Sequence, residues 1–161
     1  MEQACIAGKT KIVQYLQQEL QMPLGADCVT WTCRRFNLDL LRYLRDKKCE
    51  VEEKAVVGLL VAGPFRSPLL NVLLEMGAGK LFTDKHALEM GRYERVEVLS
   101  WMARNKLDIN WKKLLEESRI IHAKLGYKPG VGANPVLLMP RFNGSAFKWL
   151  EKLVGSKSEP S

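Results

Sequence analysis

Three glycine-containing stretches are the first places where the sequence suggests phosphate chemistry, at residues 8–10, 79–80 and 130–132. A P-loop needs a further glycine five residues before its Gly-Lys pair, and a strand that leads into the loop. The positions five residues earlier hold Gln3 and Leu74, and residues 130–132 lack the third glycine of a dinucleotide-binding fingerprint. The sequence therefore predicts no nucleotide site and no cofactor.

Residues that commonly act as catalytic bases or metal ligands are few and widely separated. The chain has two histidines, His86 and His122, and its acidic pairs at 52–53 and 116–117 are adjacent, so the carboxylates point to different helix faces. No C-x-x-C pair and no histidine at a ligand spacing accompanies the cysteines, which are Cys5, Cys28, Cys33 and Cys49. We therefore expect small buried thiols in a reducing compartment, no metal site and no enzyme activity.

An apolar pattern with helical spacing occurs four times in the sequence. The helices that it predicts must position any functional residues of the chain. Ile12, Val13, Tyr15 and Leu16 have the spacing of one helix face, and the same frame returns after 28, 29 and 29 residues. The four copies are residues 12–16, 40–44, 69–73 and 98–102. A fixed period of roughly 20 to 50 residues is typical of stacked helical repeats. Because each helix has a wide apolar face, it needs a neighbouring helix to cover it.

A compact segment rich in small residues precedes the second, third and fourth copies, at residues 27–36, 52–62 and 83–90. Each repeat is therefore predicted to be a short helix and a longer helix joined by a turn. Asn37, Ser67 and Tyr93 lie near the starts of the longer helices, and Ser67, followed by Pro68, is predicted to be an N-cap. Short connectors follow the longer helices at equivalent positions, so we expect them to project from one edge of the stack.

The C-terminal part of the chain does not continue the repeated apolar frame. A capping helix is predicted at residues 111–125, after Asn110, and an extended linker rich in proline and glycine at residues 127–144. Ser145 is predicted to cap a short helix at residues 145–155, and residues 156–161 to form a disordered tail. Aromatic residues here either pin the C-terminal segment to the repeats or form a patch for a partner; they are Trp111, Tyr127, Phe142 and Trp149.

Parts of three repeats resemble the motifs of ankyrin repeats, in a degenerate form with a short period. Residues 72–78 are similar to the family's V-x-L-L-x-x-G-A stretch, and residues 83–91 to its T-P-L-H-x-A opening and inter-helix glycine. Ala4 and Gly8 are similar to its A-x-x-x-G-H. No repeat has a complete T-P-L-H, and the inter-helix glycine is missing near Phe36. The resemblance covers residues 1–110 and extends at most to residue 126.

The resemblance implies an all-α fold, an ankyrin-like helix-pair solenoid of about four repeats at residues 1–126. The patterns of the C-terminal part add a capping helix and an extended C-terminal tail ending in a short helix. The resemblance also implies that His86 holds the first turn of its helix. Solenoids normally carry polar capping repeats at both ends. Since the first repeat begins within its short helix, we expect either another chain or a further part of a longer protein to cover it.

Charge and composition narrow the class of partner. The 161 residues carry a net charge of +7, which favours nucleic acid, anionic lipid surfaces or acidic proteins. Apolar residues make up 47% of the chain, and no apolar run reaches the ~18–20 residues of a membrane helix. We therefore expect an intracellular protein, in the cytoplasm or an organelle, without membrane insertion.

Helical solenoids serve as extended binding surfaces. We therefore predict a non-enzymatic protein–protein interaction module or scaffold subunit, which binds an acidic protein partner through its connectors and its short-helix face. The predicted partner-binding residues are Lys47, Lys48, Lys80, Arg104 and Lys106. The alternative is a basic structural subunit of a large ribonucleoprotein, such as an organellar ribosome, with RNA as a further partner.

Overall fold

The computed structural model describes residues 1–61, 65–124 and 145–156, and for residues 121–124 only the backbone is described. The chain divides into two compact units, Met1–Phe82 and Thr83–Ser161, called the first and second unit below. The predicted linker at 127–144 and residues 157–161 of the predicted tail lie outside the described residues.

The described residues form ten α-helices and one short 3-10 helix, and they contain no strand, which confirms the all-α prediction. The helices are α1 (Glu2–Ile6), α2 (Thr10–Gln18), α3 (Ala26–Arg34), α4 (Leu38–Asp46), α5 (Glu53–Val61), α6 (Ser67–Glu75), the 3-10 helix (Ala78–Leu81), α7 (Asp84–Arg92), α8 (Val96–Arg104), α9 (Trp111–Lys124) and α10 (Ser145–Gly155).

The helices of the first unit are arranged in pairs. Helix α1 packs on α2, α3 on α4 and α5 on α6, while α3 lies between α1 and α5, and α4 contacts α6. Helices α2, α4, α6 and α8 begin 28, 29 and 29 residues apart, as the apolar frame predicts. The predicted difference between short and longer helices is wrong for α3 to α8, since each has nine residues.

The apolar frame forms much of the core of the first unit. The buried residues of α4 and α6 are Leu40, Leu41, Leu44, Leu69, Leu70, Val72 and Leu73. The first copy differs, because Val13 is buried while Ile12 and Tyr15 are 50% and 57% exposed. The prediction that Tyr15 lies in the core is therefore wrong, since the described residues supply no helix on that side of α2.

Asn37, which the sequence places near the start of a longer helix, is the N-cap of α4 and also connects two helix pairs. Its Oδ1 accepts the Leu40 N–H at 3.0 Å, and its Nδ2 donates to the Gly8 carbonyl at 2.9 Å. The predicted N-cap of α6 at Ser67 is wrong by one residue: Ser67 lies in the first turn, and Arg66 occupies the N-cap position without capping it. The Asn37 side chain thus caps the N-terminus of α4 and holds the turn at Gly8 in the preceding helix pair.

Further side-chain hydrogen bonds join successive helix pairs of the first unit. The Trp31 indole donates to Glu2 Oε1 at 2.9 Å, and the Tyr43 hydroxyl donates to Gln17 Oε1 at 2.9 Å. Together with the Asn37 bond to Gly8, these links join residues 26 to 29 positions apart. The α3–α4 pair is therefore tied to the α1–α2 pair that precedes it in the chain.

Left-handed backbone conformations end the helices at regular places. They follow the first helix of a pair at Gly8, Phe36 and Glu94, and the second helix at Gln21, Lys48, Gly77 and Lys106. At most of these turns the N–H of the next residue bonds to the carbonyl five residues back, as in the 3.2 Å bond from Asn37 to Thr32, which is a Schellman closure. Phe36 adopts this conformation at φ 54°, so the turn keeps its geometry although the glycine of the ankyrin pattern is absent.

The left-handed turns predict a stabilising substitution. Lys48 has φ 56°, whereas its neighbour Lys47 has φ −85°. A side chain in the left-handed region costs roughly 1 kcal/mol, which glycine avoids. Lys48→Gly should therefore raise the free energy of unfolding by about 1 kcal/mol, while Lys47→Gly should lower it. Urea denaturation followed by circular dichroism measures both changes, and equal destabilisation by both variants would contradict the turn geometry.

The second unit contains the C-terminal helix as part of its core. Helix α7 packs on α8 and α9, and α10 contacts α7, α8 and α9. The Glu94 carboxylate lies at the start of α10, where its Oε2 accepts the Ala146 N–H at 3.0 Å and the Ser145 hydroxyl. Ser145 is therefore not the predicted cap: it begins the helix, and Glu94 supplies the negative charge that a helix N-terminus favours.

Aromatic contact also holds α10 in the second unit. The rings of Trp111 and Trp149 meet edge to face, with centroids 5.8 Å apart. This contact confirms the pinning interpretation for these two residues, while Tyr127 and Phe142 lie outside the described residues. Asn110 is confirmed as the acceptor at the start of α9, where its Oδ1 receives the N–H of residue 113 at 3.0 Å.

Candidate functional site

The first unit has two edges, defined by the ends of its second helices. The connector edge lies at the C-terminal ends of α2 and α4, where the chain leaves each pair. The turn edge lies at the N-terminal ends of α2, α4 and α6, where each pair has its inter-helix turn. Each edge contains a surface groove.

The connector groove has a volume of about 490 Å³. One wall is the connector after α2, with Met22, Pro23 and Leu24, and the other is the connector after α4, with Lys47 and Lys48. Both lysines are exposed, and the Lys47 ammonium lies 5.6 Å from the ring centroid of residue 43. The groove therefore combines two cations with an apolar wall.

The predicted partner-binding residues are all exposed, but they lie in different places. Lys47 and Lys48 share the connector groove. Lys80 is in the 3-10 helix of the same unit and does not line the groove. Arg104 and Lys106 belong to the second unit, at the end of α8 and just beyond it. Of the five, the described contacts bring together Lys47 and Lys48.

The histidines show one clear role. His86 is buried, and its Nδ1 accepts the Thr83 N–H at 3.3 Å, which forms a capping box at the start of α7. The predicted structural role of His86 in its first helical turn is thus confirmed. The side chain of His122 lies outside the described residues.

All four cysteines are free thiols in the structure. Cys5, Cys28 and Cys33 are buried, and Cys49 is half-buried. Burial raises the pKa of the Cys33 thiol to about 12, and a hydrogen bond with Cys28 together with burial raises the pKa of Cys5. Both thiols therefore stay protonated and weakly nucleophilic. Within the described ranges, no three histidine, cysteine or acidic side chains converge on a possible metal position.

The turn edge has a concentration of positive charge that local sequence reasoning missed. Its exposed cations are Lys9, Arg34, Arg35 and Arg66. The adjoining groove, about 630 Å³, is lined by residues 6–8 and 35–39. The repeat period could have revealed these cations, because Lys9 and Arg66 occupy the same repeat position as Asn37, 28 residues before it and 29 after it.

No helix in the described part of the chain has the length and apolar composition that a bilayer crossing needs. Comparison with known proteins gave no matching family model, no matching curated protein and no matching solved structure.

Proposed function

We propose that the protein is a non-enzymatic interaction module, an ankyrin-like array of helix pairs that binds an acidic segment of a protein partner. The connector groove of the first unit supports this proposal, because Lys47 and Lys48 line it together with Met22, Pro23 and Leu24. An extended segment with an acidic residue next to an apolar one matches both walls.

The two walls have different roles in binding. Apolar side chains that become buried against Met22 and Leu24 supply most of the affinity, as anchors do in protein interfaces. The exposed lysines attract the acidic segment and set its orientation, since charges at the rim act mainly on association rate and specificity. Glu50 lies on the lysine wall and is also exposed, so it repels a second acidic residue at that position.

A random peptide library selected on the full chain tests the proposal. We expect the selected peptides to be enriched in aspartate or glutamate beside an apolar residue. Binding of a selected peptide to Lys47→Glu/Lys48→Glu should be weaker by about tenfold or more, since two favourable charge contacts become repulsive. Fluorescence anisotropy of the labelled peptide measures the dissociation constant.

The matched control is Lys11→Glu/Lys54→Glu, which makes the same change in net charge at exposed lysines outside the groove. This variant should bind the peptide within about twofold of the parent protein, because neither lysine lines the groove and exposed charges outside a contact contribute little. Peptides without acidic residues, or an equal loss in both variants, would rule out the connector groove as the site.

A further inference from the structure

We propose that the turn edge of the first unit is a second binding site, which takes the phosphate groups of single-stranded RNA. The site consists of four exposed cations: Lys9 and Arg66 stand at the N-terminal ends of α2 and α6, and Arg34 and Arg35 at the C-terminal end of α3, just before α4. It is separate from the connector groove, which lies at the opposite ends of these helices.

The positive charge at the turn edge is uncompensated. Among the described residues, none of the four cations has a carboxylate within ion-pair distance. Some basic residues of the same unit are paired, since Arg45 contacts Asp46 and Glu75, and the ammonium of residue 54 lies 3.3 Å from a carboxylate. Asp39 lines the turn-edge groove, but its carboxylate is directed to Arg42 at 3.9 Å.

Two of the arginines are held in place by aromatic rings. The Arg34 guanidinium lies 4.8 Å from the Trp31 ring centroid, and the Arg66 guanidinium lies 4.7 Å from that of Phe36. A Cβ atom at Gly58 would come 3.2 Å from Arg34 Cγ, so this glycine lets Arg34 lie across α5. Stacking fixes each guanidinium by its face and leaves its N–H groups at the edge for phosphate oxygens.

Arg35 is fixed in a different way. Its Nε donates to the Ile6 carbonyl at 2.7 Å, which uses one of five guanidinium N–H groups. Its terminal nitrogens make no ion pair among the described residues. Because these three arginines are already ordered, binding an anion requires little further loss of side-chain entropy.

The N-cap positions show a second, independent departure from ordinary helix chemistry. Lys9 and Arg66 are the N-cap residues of α2 and α6, and neither side chain caps its helix. Lysine and arginine side chains have only donors, so each places a cation at the positive end of its helix, where capping residues usually place an acceptor. A bound phosphate would supply a negative charge at these two helix ends.

The residue types favour RNA over an acidic protein segment. Three of the four cations are arginines, whose planar groups bind phosphate oxygens in pairs. Neighbouring packed helices are about 8–10 Å apart, so three successive turns follow a backbone across several phosphates. The Trp31 and Phe36 faces are covered by guanidinium groups. Base stacking on these faces is therefore blocked, and binding should depend on the backbone and not on sequence.

The test uses the full chain and a fluorescein-labelled single-stranded RNA of uridines, with anisotropy measured at a series of salt concentrations. Each phosphate contact contributes about −0.7 to the slope of log K against log salt, so four cations predict a slope of about −3. Arg34→Gln/Arg66→Gln should reduce the slope to about −1.4 and weaken binding at low salt by about tenfold or more. These side chains make ring contacts, so circular dichroism must first show an unchanged melting curve.

Lys47→Gln/Lys48→Gln is the matched control, because it removes the same charge from the connector groove. It should leave the salt dependence of RNA binding unchanged and weaken binding of the acidic peptide. Arg34→Gln/Arg66→Gln should reduce the salt dependence of RNA binding and leave binding of the acidic peptide unchanged. The two proposals can therefore fail separately. If the arginine variant unfolds, Lys9→Gln/Arg66→Gln replaces it, with the same slope expected.

Three results would overturn the RNA site. The first is an RNA affinity that does not fall with salt, and the second is an equal loss in the arginine variant and the connector control. The third is a polyglutamate peptide that competes with RNA at equal charge concentration and loses affinity in the arginine variant, which would assign the turn edge to an acidic protein.

Discussion

Leu44→Asp is expected to unfold the first unit. Leu44 is completely buried in α4, at the centre of the second copy of the apolar frame. Truncation of a buried leucine alone costs about 2–5 kcal/mol, and an unpaired carboxylate in the same place adds a desolvation penalty of several more. The sum is comparable with the whole stability of a small domain, about 5–15 kcal/mol.

Leu20→Asp is the control for this substitution, since Leu20 is 56% exposed and follows α2. It should change the free energy of unfolding by less than about 0.5 kcal/mol. Far-ultraviolet circular dichroism during urea denaturation measures both variants. If Leu44→Asp had the same denaturation midpoint as Leu20→Asp, the repeated apolar frame would not be the core of the first unit.

Asn37→Ala has the second largest expected effect on stability. The substitution removes the N-cap of α4, which is worth about 0.5–2 kcal/mol, and the bond to the Gly8 carbonyl, worth about 1 kcal/mol. We therefore expect a loss of about 2–3 kcal/mol. The loss exceeds that of an ordinary cap because one amide serves both the helix and the preceding turn.

Asn37→Asp separates the two roles of this side chain. Aspartate retains an acceptor for the Leu40 N–H but has no donor for the Gly8 carbonyl, so it keeps the cap and loses the connection between pairs. Its destabilisation should fall between those of the parent protein and Asn37→Ala. Thermal denaturation of the three proteins at neutral pH gives the order, and an aspartate variant less stable than the alanine variant would contradict the capping role.

The helix starts were predictable because they follow from periodicity. The apolar frame recurs every 28 or 29 residues, and α2, α4, α6 and α8 begin at those intervals. Helix capping was predictable at Asn110, where the acceptor stands directly before its helix, but the prediction at Ser67 was wrong by one residue. The cap of α10 was not predictable, because Glu94 is 52 residues from the Ala146 N–H that it accepts, and no short pattern contains both.

The distribution of charge was harder to predict than the helices. The densest basic stretch along the chain is residues 42–48, yet two of its arginines are paired with carboxylates in the structure. The turn edge collects cations that are far apart in sequence, at positions 9, 34, 35 and 66. Stacking of helix pairs brings together residues one period apart, so charge must be counted in the repeat frame and not along neighbouring positions.

The links between successive helix pairs also bear on how the first unit folds. The hydrogen bonds from Trp31, Asn37 and Tyr43 close loops of only 26 to 29 residues. Loop closure of this length carries a modest entropic penalty, and chains dominated by short-range contacts fold quickly. A nucleus can therefore form at any adjacent pair and extend to the next one. By the same reasoning α1 and α2, with Ile12 and Tyr15 exposed, form the pair that opens first, so their amide hydrogens exchange ahead of those in α4 and α6.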